Sequence, residues 1–161
     1  MITIRPHSAD DAMAIWSMLE PVFRAGETYA IDRAVSAVEA MRYWCGDDRE
    51  TWVAELAGVC VGTYYLRANQ AGGGAHVANC GYVTAATSQG QGVARAMLAH
   101  SLQRARARGF RAMQFNCVVS TNTRAIRLWE ANGFAVVGRL PGAFAHPTQG
   151  FVDALVLYRR L

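Results

Sequence analysis

Apolar and polar positions change their period several times along the chain. Residues 2–5 alternate and predict a first strand. Ser8 precedes Asp11 by three positions, a capping-box spacing, and Met13, Trp16, Leu19 and Phe23 then recur at helical intervals before Gly26. A second helix is predicted over residues 34–44, closing before Gly46. Residues 51–56 and 59–67 flank the tight turn Ala57-Gly58, which reads as a hairpin. Residues 76–85 are apolar or small on both faces, as in a central strand. Gln89-Gly90-Gln91-Gly92 opens a helix with Val93, Met97, Leu98, Leu102 and Ala105 in register, closed by Gly109. A strand over 112–119 and a helix over 123–132, stopped by Gly133, follow. Two last strands, 134–140 and 151–159, are separated by Pro141, Gly142, Pro147 and Gly150. The order β-α-α-β-β-β-α-β-α-β-β predicts one α/β domain over residues 1–161, a mixed sheet with helices on both faces.

The 161 residues are 52% apolar and 17% charged, enough for a hydrophobic core without staples and unlike a disordered chain. No apolar run approaches a membrane span, and the alternating N-terminus lacks the plan of a signal peptide, so the expectation is a soluble, cytoplasmic protein. The net charge of +4 is mild, but many arginines fall between Arg95 and Arg127. Such an excess is either a solvated helix face or the setting for an anionic ligand. Aromatic and basic residues do not interleave as in nucleic-acid-binding proteins. Cys45, Cys60, Cys80 and Cys117 form no C-x-x-C pair and have no histidine at metal spacing, so no metal is expected and the thiols read as packing residues.

Chemistry concentrates between Val83 and Phe134. There a strand runs into a glycine-rich turn and then a helix. Gly90, Gly92 and small Ala94 let a ligand approach the backbone closely. The first amides of that helix have no internal partners, and with the helix dipole they form an anion site suited to a pyrophosphate. Gly92-Val93-Ala94 lacks the lysine of a P-loop, and Arg95 stands where a dinucleotide fingerprint needs glycine.

Gln89-x-x-Gly92-x-Ala94 resembles the Q/R-x-x-G-x-G/A signature of the GNAT superfamily of N-acetyltransferases. Asn122-x-x-Ala125-Ile126-x-Leu128-Trp129-x-x-x-Gly133-Phe134 is similar to that superfamily's N-x-x-A-x-x-L-Y-x-x-x-G-F. The two motifs stand in the right order and spacing, and the element order matches from end to end. The resemblance implies a mostly antiparallel sheet of about seven strands, acetyl-CoA as co-substrate, and an acetyl group passed to an amine. It also implies that the backbone of Gln89, Gly90, Gln91, Gly92, Val93, Ala94 and Arg95 holds the CoA pyrophosphate. Val83 and Thr84 would pair main chain with the pantetheine arm where the strands around residues 82–85 and 115–118 splay. Asn122 would bond the pantetheine, and Arg127 is either a phosphate contact or an exposed helix arginine.

A neutral amine attacks a thioester directly, so Cys80 and Cys117 are not needed as acyl carriers. The tyrosine that often serves as acid in the superfamily is Trp129 here, and an indole N–H does not release a proton near neutral pH. Another tyrosine (Tyr82 or Tyr158), a water or no group at all would then serve the thiolate. No acid lies on strand 76–85; His76 or Glu55 through water are the remaining bases.

For the acceptor, Glu27, Thr28 and Tyr29 form a short polar loop that could clamp an ammonium group. Asn79 and Asn116 lie on the two segments that flank the acyl site, where facing amides suit a carboxylate or carbonyl. Both, with Tyr82, are candidates for the catalytic centre. Tyr29, Phe144, His146 and Phe151 are expected near the mouth. The placement of Asn79, Asn116 and Asn122, with residues 140–144 and 152–154, looks like the branch that includes fungal acetyltransferases for azetidine-2-carboxylate and other proline analogues. The resemblance thus points to a small amine, an amino acid or a toxic analogue. Acetylation of a protein amine and a non-catalytic acyl-CoA-binding regulator are the alternatives. Homodimers are common among such proteins, and the C-terminal strands have apolar residues to spare.

Overall fold

The computed structural model describes residues 1–161. Seven strands and four helices follow in the expected order: β1 (Ile2–Pro6), α1 (Ala12–Ala25), α2 (Ala37–Trp44), β2 (Arg49–Leu56), β3 (Val59–Ala68), β4 (Val77–Thr84), α3 (Val93–Ala107), β5 (Ala112–Val119), α4 (Thr123–Ala131), β6 (Ala135–His146) and β7 (Gly150–Arg160). They form one sheet in the order β1-β2-β3-β4-β5-β7-β6. Every neighbouring pair is antiparallel except β4 and β5.

Local chemistry accounts for the element ends. The Ser8–Asp11 box forms, with the Ser8 amide 2.7 Å from the Asp11 carboxylate, but it caps a 3-10 turn (Ala9–Asp11) that leads into α1. Gly26 closes α1 at φ +65°. α2 starts at Ala37 because Ser36 and Glu39 form a reciprocal capping box. Ala57 and Gly58 both take positive φ, which gives the β2–β3 hairpin the tight turn that matches strand twist.

The largest departure from the sequence reading is β6. Pro141 and Gly142 were expected to end it near 140, yet the strand runs to His146. β6 is the sheet edge, and its register shifts between Leu140 and Phe144. A proline at an edge bulge removes no ladder bond. Asp153 on β7 holds the bulge by accepting from the Gly142 amide at 3.0 Å and from Arg139 at 2.7 Å.

Helices α1 and α2 cover one face, with Ile15, Leu19, Phe23 and Trp44 packed on Val53, Tyr65 and Val83. On the other face Val93, Met97 and Leu98 of α3 and Trp129 of α4 pack on Tyr64, Leu66, Cys80 and Phe115. Arg5 ties β1 to the start of α1 through paired 2.8 Å bonds to both Asp11 carboxylate oxygens. This holds the buried Asp11 carboxyl well below the usual carboxylate range. A carboxyl so depressed contributes stability above its unfolded pKa of about 4 and loses it as pH falls toward the folded value. Asp11→Asn should therefore lower unfolding stability at pH 7 by about 1–2 kcal/mol. In urea titrations the gap to wild type should close as pH drops below about 4; a gap independent of pH contradicts this role for the ion pair.

Candidate active site

The parallel contact between β4 and β5 contains only two pairs, Val77 with Ala112 and Ala78 with Met113. The next position along the ladder, Asn79 opposite Gln114, is joined by a side chain. Asn79 Nδ2 donates to the Gln114 carbonyl at 2.9 Å, and beyond it the strands part. β5 turns away through a bulge: Phe115 faces Leu157 and Val118 faces Leu155, so Asn116 and Cys117 together oppose one residue of β7. Between the strands lies a cleft of about 880 Å3.

The main chain of β4 arms this cleft. Bonds from Asn69 N–H to the Val77 carbonyl and from Ala85 N–H to the Val61 carbonyl fix which residues face β3. By alternation, Cys80, Tyr82 and Thr84 turn their peptide groups toward the gap. The phenol of Tyr29 occupies one of these positions. Tyr82 N–H donates to its hydroxyl oxygen at 2.9 Å, and the hydroxyl donates to the Tyr82 carbonyl at 3.0 Å. The ring is held edge-on by Phe23 and Trp44, at centroid distances of 5.6 and 5.8 Å. Gly81, beside it, has no side chain because a Cβ would lie 2.6 Å from the Tyr65 ring.

At the other end, Gly90 and Gly92 both sit at positive φ, +81° and +82°. A Cβ at either would meet nothing within 4 Å. The first bond of α3 runs from the Ala96 amide to the Gly92 carbonyl at 3.0 Å, which leaves the amides of Val93, Ala94 and Arg95 without helical partners. Gln89, Gly90, Gly92, Val93, Ala94 and Arg95 line the cleft, whereas Gln91 does not. Instead Gln91 bonds back to the Thr87 carbonyl at 3.3 Å. Val83, Thr84, Asn122 and Arg127 line it as well. Asn122 caps α4 by accepting from the Ala125 amide, so its Nδ2 is the atom left for a ligand. Arg124 also lines the cleft and reaches Gln89 at 3.3 Å. Sequence reading missed it, although its position three residues before Arg127 puts both on one helix face.

Several assignments are corrected. Tyr82 presents its main chain to the gap; its hydroxyl is bound at 2.7 Å to Ser101 of α3 in the core. Tyr158 sits in β7 opposite Gln114 and Ala135, outside the cleft. Glu55 is paired to Arg5 at 2.6 Å, and neither it nor His76 lines the cleft. Of the polar loop, Thr28 and Tyr29 line the cleft while Glu27 is exposed and does not. Asn79 and Asn116 both line it but do not face each other: the bulge turns Asn116 toward Asn69, to which it donates at 2.7 Å. Phe144, His146 and Phe151 lie outside this cleft, and Phe144 borders a separate, smaller one with Tyr29. Cys80 is buried, its thiol pushed up to about 12 by burial. Cys117, expected to pack, is exposed on the bulge.

The position of Asn79 makes it structural at the apex of the gap, where it also accepts from the Tyr65 hydroxyl at 3.5 Å. Asn79→Ala leaves the Gln114 carbonyl without its partner and should lower unfolding stability by about 1–2 kcal/mol in urea titrations. A neutral substitution would mean the two strands part without this link.

The chain is similar over its whole length to known proteins. It is 40% identical to a GCN5-related N-acetyltransferase from Kribbella flavida, with a TM-score of 0.94 over 99% of this chain and 98% of that one. A phosphinothricin acetyltransferase from Sinorhizobium meliloti, solved with acetyl-CoA, shares the fold at 21% identity and a TM-score of 0.86, over 99% of this chain and 88% of that one. N-acetyltransferase aca1 of Schizosaccharomyces pombe is 31% identical over 97 residues, 60% of this chain and 46% of that protein, so the chain spans about half the length of this curated relative. Residues 13–134 match the acetyltransferase (GNAT) family, and these cover the splayed strands, the glycine turn and the cap of α4; the chain belongs to that family.

Proposed function

We propose that the chain is an acetyl-CoA-dependent N-acetyltransferase that acetylates the amine of a small molecule by direct attack in a ternary complex. The observation that carries this reading is the gap between β4 and β5. At one end it has a glycine turn with free amides and three arginines, Arg95, Arg124 and Arg127; at the other it has a small polar chamber. The first end fits a pyrophosphate. The unpaired edge of β4 fits an extended, amide-containing arm, which bonds to main chain as another strand does. The chamber, with Thr28, Asn79 and Asn116, fits a small polar acceptor such as an amino acid or an amino-acid analogue. Val136, Val137, Leu140 and Phe151, exposed on the last hairpin, support a homodimer.

In the reaction, the amine nitrogen forms its bond to the thioester carbonyl carbon, the carbon–sulfur bond breaks, and the sulfur takes a proton. No cysteine nucleophile is required, and burial raises the thiol pKa of Cys80, which keeps it protonated. No aspartate, glutamate or histidine lines the cleft, so solvent takes the proton from the amine. Arg67, the arginine at the chamber end of the cleft, aids that loss, because like charge disfavours the ammonium form. Trp129 is buried against Tyr82 and Phe115, and its indole N–H does not release a proton near neutral pH. Tyr29 is the hydroxyl at the edge of β4. Burial raises its pKa, so it stays protonated through the neutral range. Held by the Tyr82 N–H, this hydroxyl acts as a hydrogen-bond donor to the departing sulfur, and the thiolate takes its proton from solvent, because a buried phenol is a weaker acid than the thiol.

The test of the overall reading is thiol release from acetyl-CoA across a panel of amino acids, proline analogues, polyamines and peptides. Turnover with a class of small amines supports it. Acetyl-CoA binding without turnover on any amine favours the regulator, and turnover confined to peptides favours a protein acceptor. Gly92→Asp strains a left-handed position and sets a negative charge at the turn, and it should weaken acetyl-CoA binding at least 100-fold by calorimetry. Unchanged affinity would overturn the placement of the pyrophosphate. Tyr29→Phe should lower kcat about 10- to 100-fold while acetyl-CoA affinity stays within about threefold. A kcat equal to wild type would remove Tyr29 from the chemistry.

A further inference from the structure

Four charged residues line the cleft, and all are arginines. Three stand at the glycine turn and on α4. The fourth, Arg67 of β3, stands alone at the opposite end, directly across from Asn79 in the β3–β4 register. With no carboxylate on the walls, the chamber offers nothing to neutralise a cationic acceptor.

Arg67 has a second cation on its other side. The β2–β3 register sets Arg49 directly opposite Arg67. Like charges in that position repel unless an anion lies between them. Only Asp48 answers both. It accepts from Arg49 Nε at 2.7 Å and Nη2 at 3.0 Å, and from Arg67 Nη1 at a long 3.4 Å. Arg49 is locked in place, with 7% of its side chain exposed and its guanidinium 4.9 and 5.3 Å from the ring centroids of Tyr65 and Tyr43. Arg49 Nη1 and Arg67 Nε are both buried without a hydrogen-bond partner. Two guanidinium groups thus share one largely exposed carboxylate, and the less committed of the two borders the acceptor chamber.

We propose that Arg67, with Arg49 buried behind it, is an anion subsite that binds a carboxylate of the acceptor. The acceptor is then an amine that carries its own negative group, as an amino acid does, and polyamines and simple alkylamines are excluded. This rests on the transferase reading for the position of the acceptor. Asn79 does not do this work, because its amide is already spent on Gln114 and Tyr65. The guanidinium fork pairs with a carboxylate where a neutral amide gives only single bonds.

The experiment compares acceptors in matched sets, each amino acid with its decarboxylated amine and its carboxamide, in wild type, R67Q, R67K and D48N. Wild type should use the carboxylate member of each set. R67Q should raise its KM about 10- to 100-fold with acetyl-CoA KM unchanged. R67K should recover part of the loss, and D48N, which frees the guanidinium, should lower KM. Equal use of decarboxylated amines by wild type, or an equal loss on all three members in R67Q, overturns the subsite while leaving acetyl transfer intact. Binding gives a readout apart from turnover. N-acetylated amino acids, titrated by calorimetry in the presence of CoA, should bind wild type at least tenfold more tightly than R67Q. Equal affinities overturn the subsite even if no amine is acetylated.

Discussion

Neighbouring strands stay paired across the sheet, through their bulges, except at one joint, and the active site exists because that joint fails. β4 and β5 are the only parallel neighbours, and two pairs hold them together before Asn79 takes the Gln114 carbonyl with its side chain. A sheet that zipped fully would bury the peptide groups of Cys80, Tyr82 and Thr84 in a ladder. Parted, it leaves polar backbone that must find partners elsewhere, since buried peptide groups are rarely left unpaired. Tyr29 satisfies one position. The rest face the cleft, where the proposed function seats a ligand with amides of its own. The bulge at Asn116 and Cys117 keeps the gap open by letting β5 follow β7 while diverging from β4.

Charge then distinguishes the two ends of the cleft. The glycine turn needs no side chain to bind an anion, because the free amides and dipole of α3 supply the field. Arginines at that end add to it. The chamber at the far end depends on side chains brought in from the other face of the sheet, where α1 and α2 pack. The aromatic group of Phe23, Tyr29, Tyr43, Trp44 and Tyr65 is what joins them, each ring edge-on to at least one neighbour. This packing fixes both the Tyr29 hydroxyl at β4 and the Arg49 guanidinium behind Arg67.

What the sequence made legible was local. The turn could be read because Gly90 and Gly92 occupy backbone positions that other residues avoid, at a spacing that opens a helix. The element order followed from period changes and from punctuation such as the Ser8–Asp11 box and Gly26. Features that depend on distant registers could not be read. Tyr29 meets Tyr82 across 53 positions, through a loop whose path is set by ring packing. The pairing of Arg49 with Arg67 depends on a hairpin whose register slips between Ala54 and Glu55. Asn79 and Asn116 were expected to face one another, but the β5 bulge rotates one of them away. Pro141 looked like a strand end because its tolerance at an edge bulge depends on which strand lies outermost.

The gap between β4 and β5 is the proposed seat of acetyl-CoA, and amide hydrogen exchange reads that gap directly. Saturating acetyl-CoA should slow exchange at least about tenfold at Cys80 and Thr84 and at the turn amides of Val93, Ala94 and Arg95. Amides paired within β6 and β7 should be unaffected. Protection confined to other elements, or none at all on β4 at saturation, would contradict the assignment of this cleft to the cofactor.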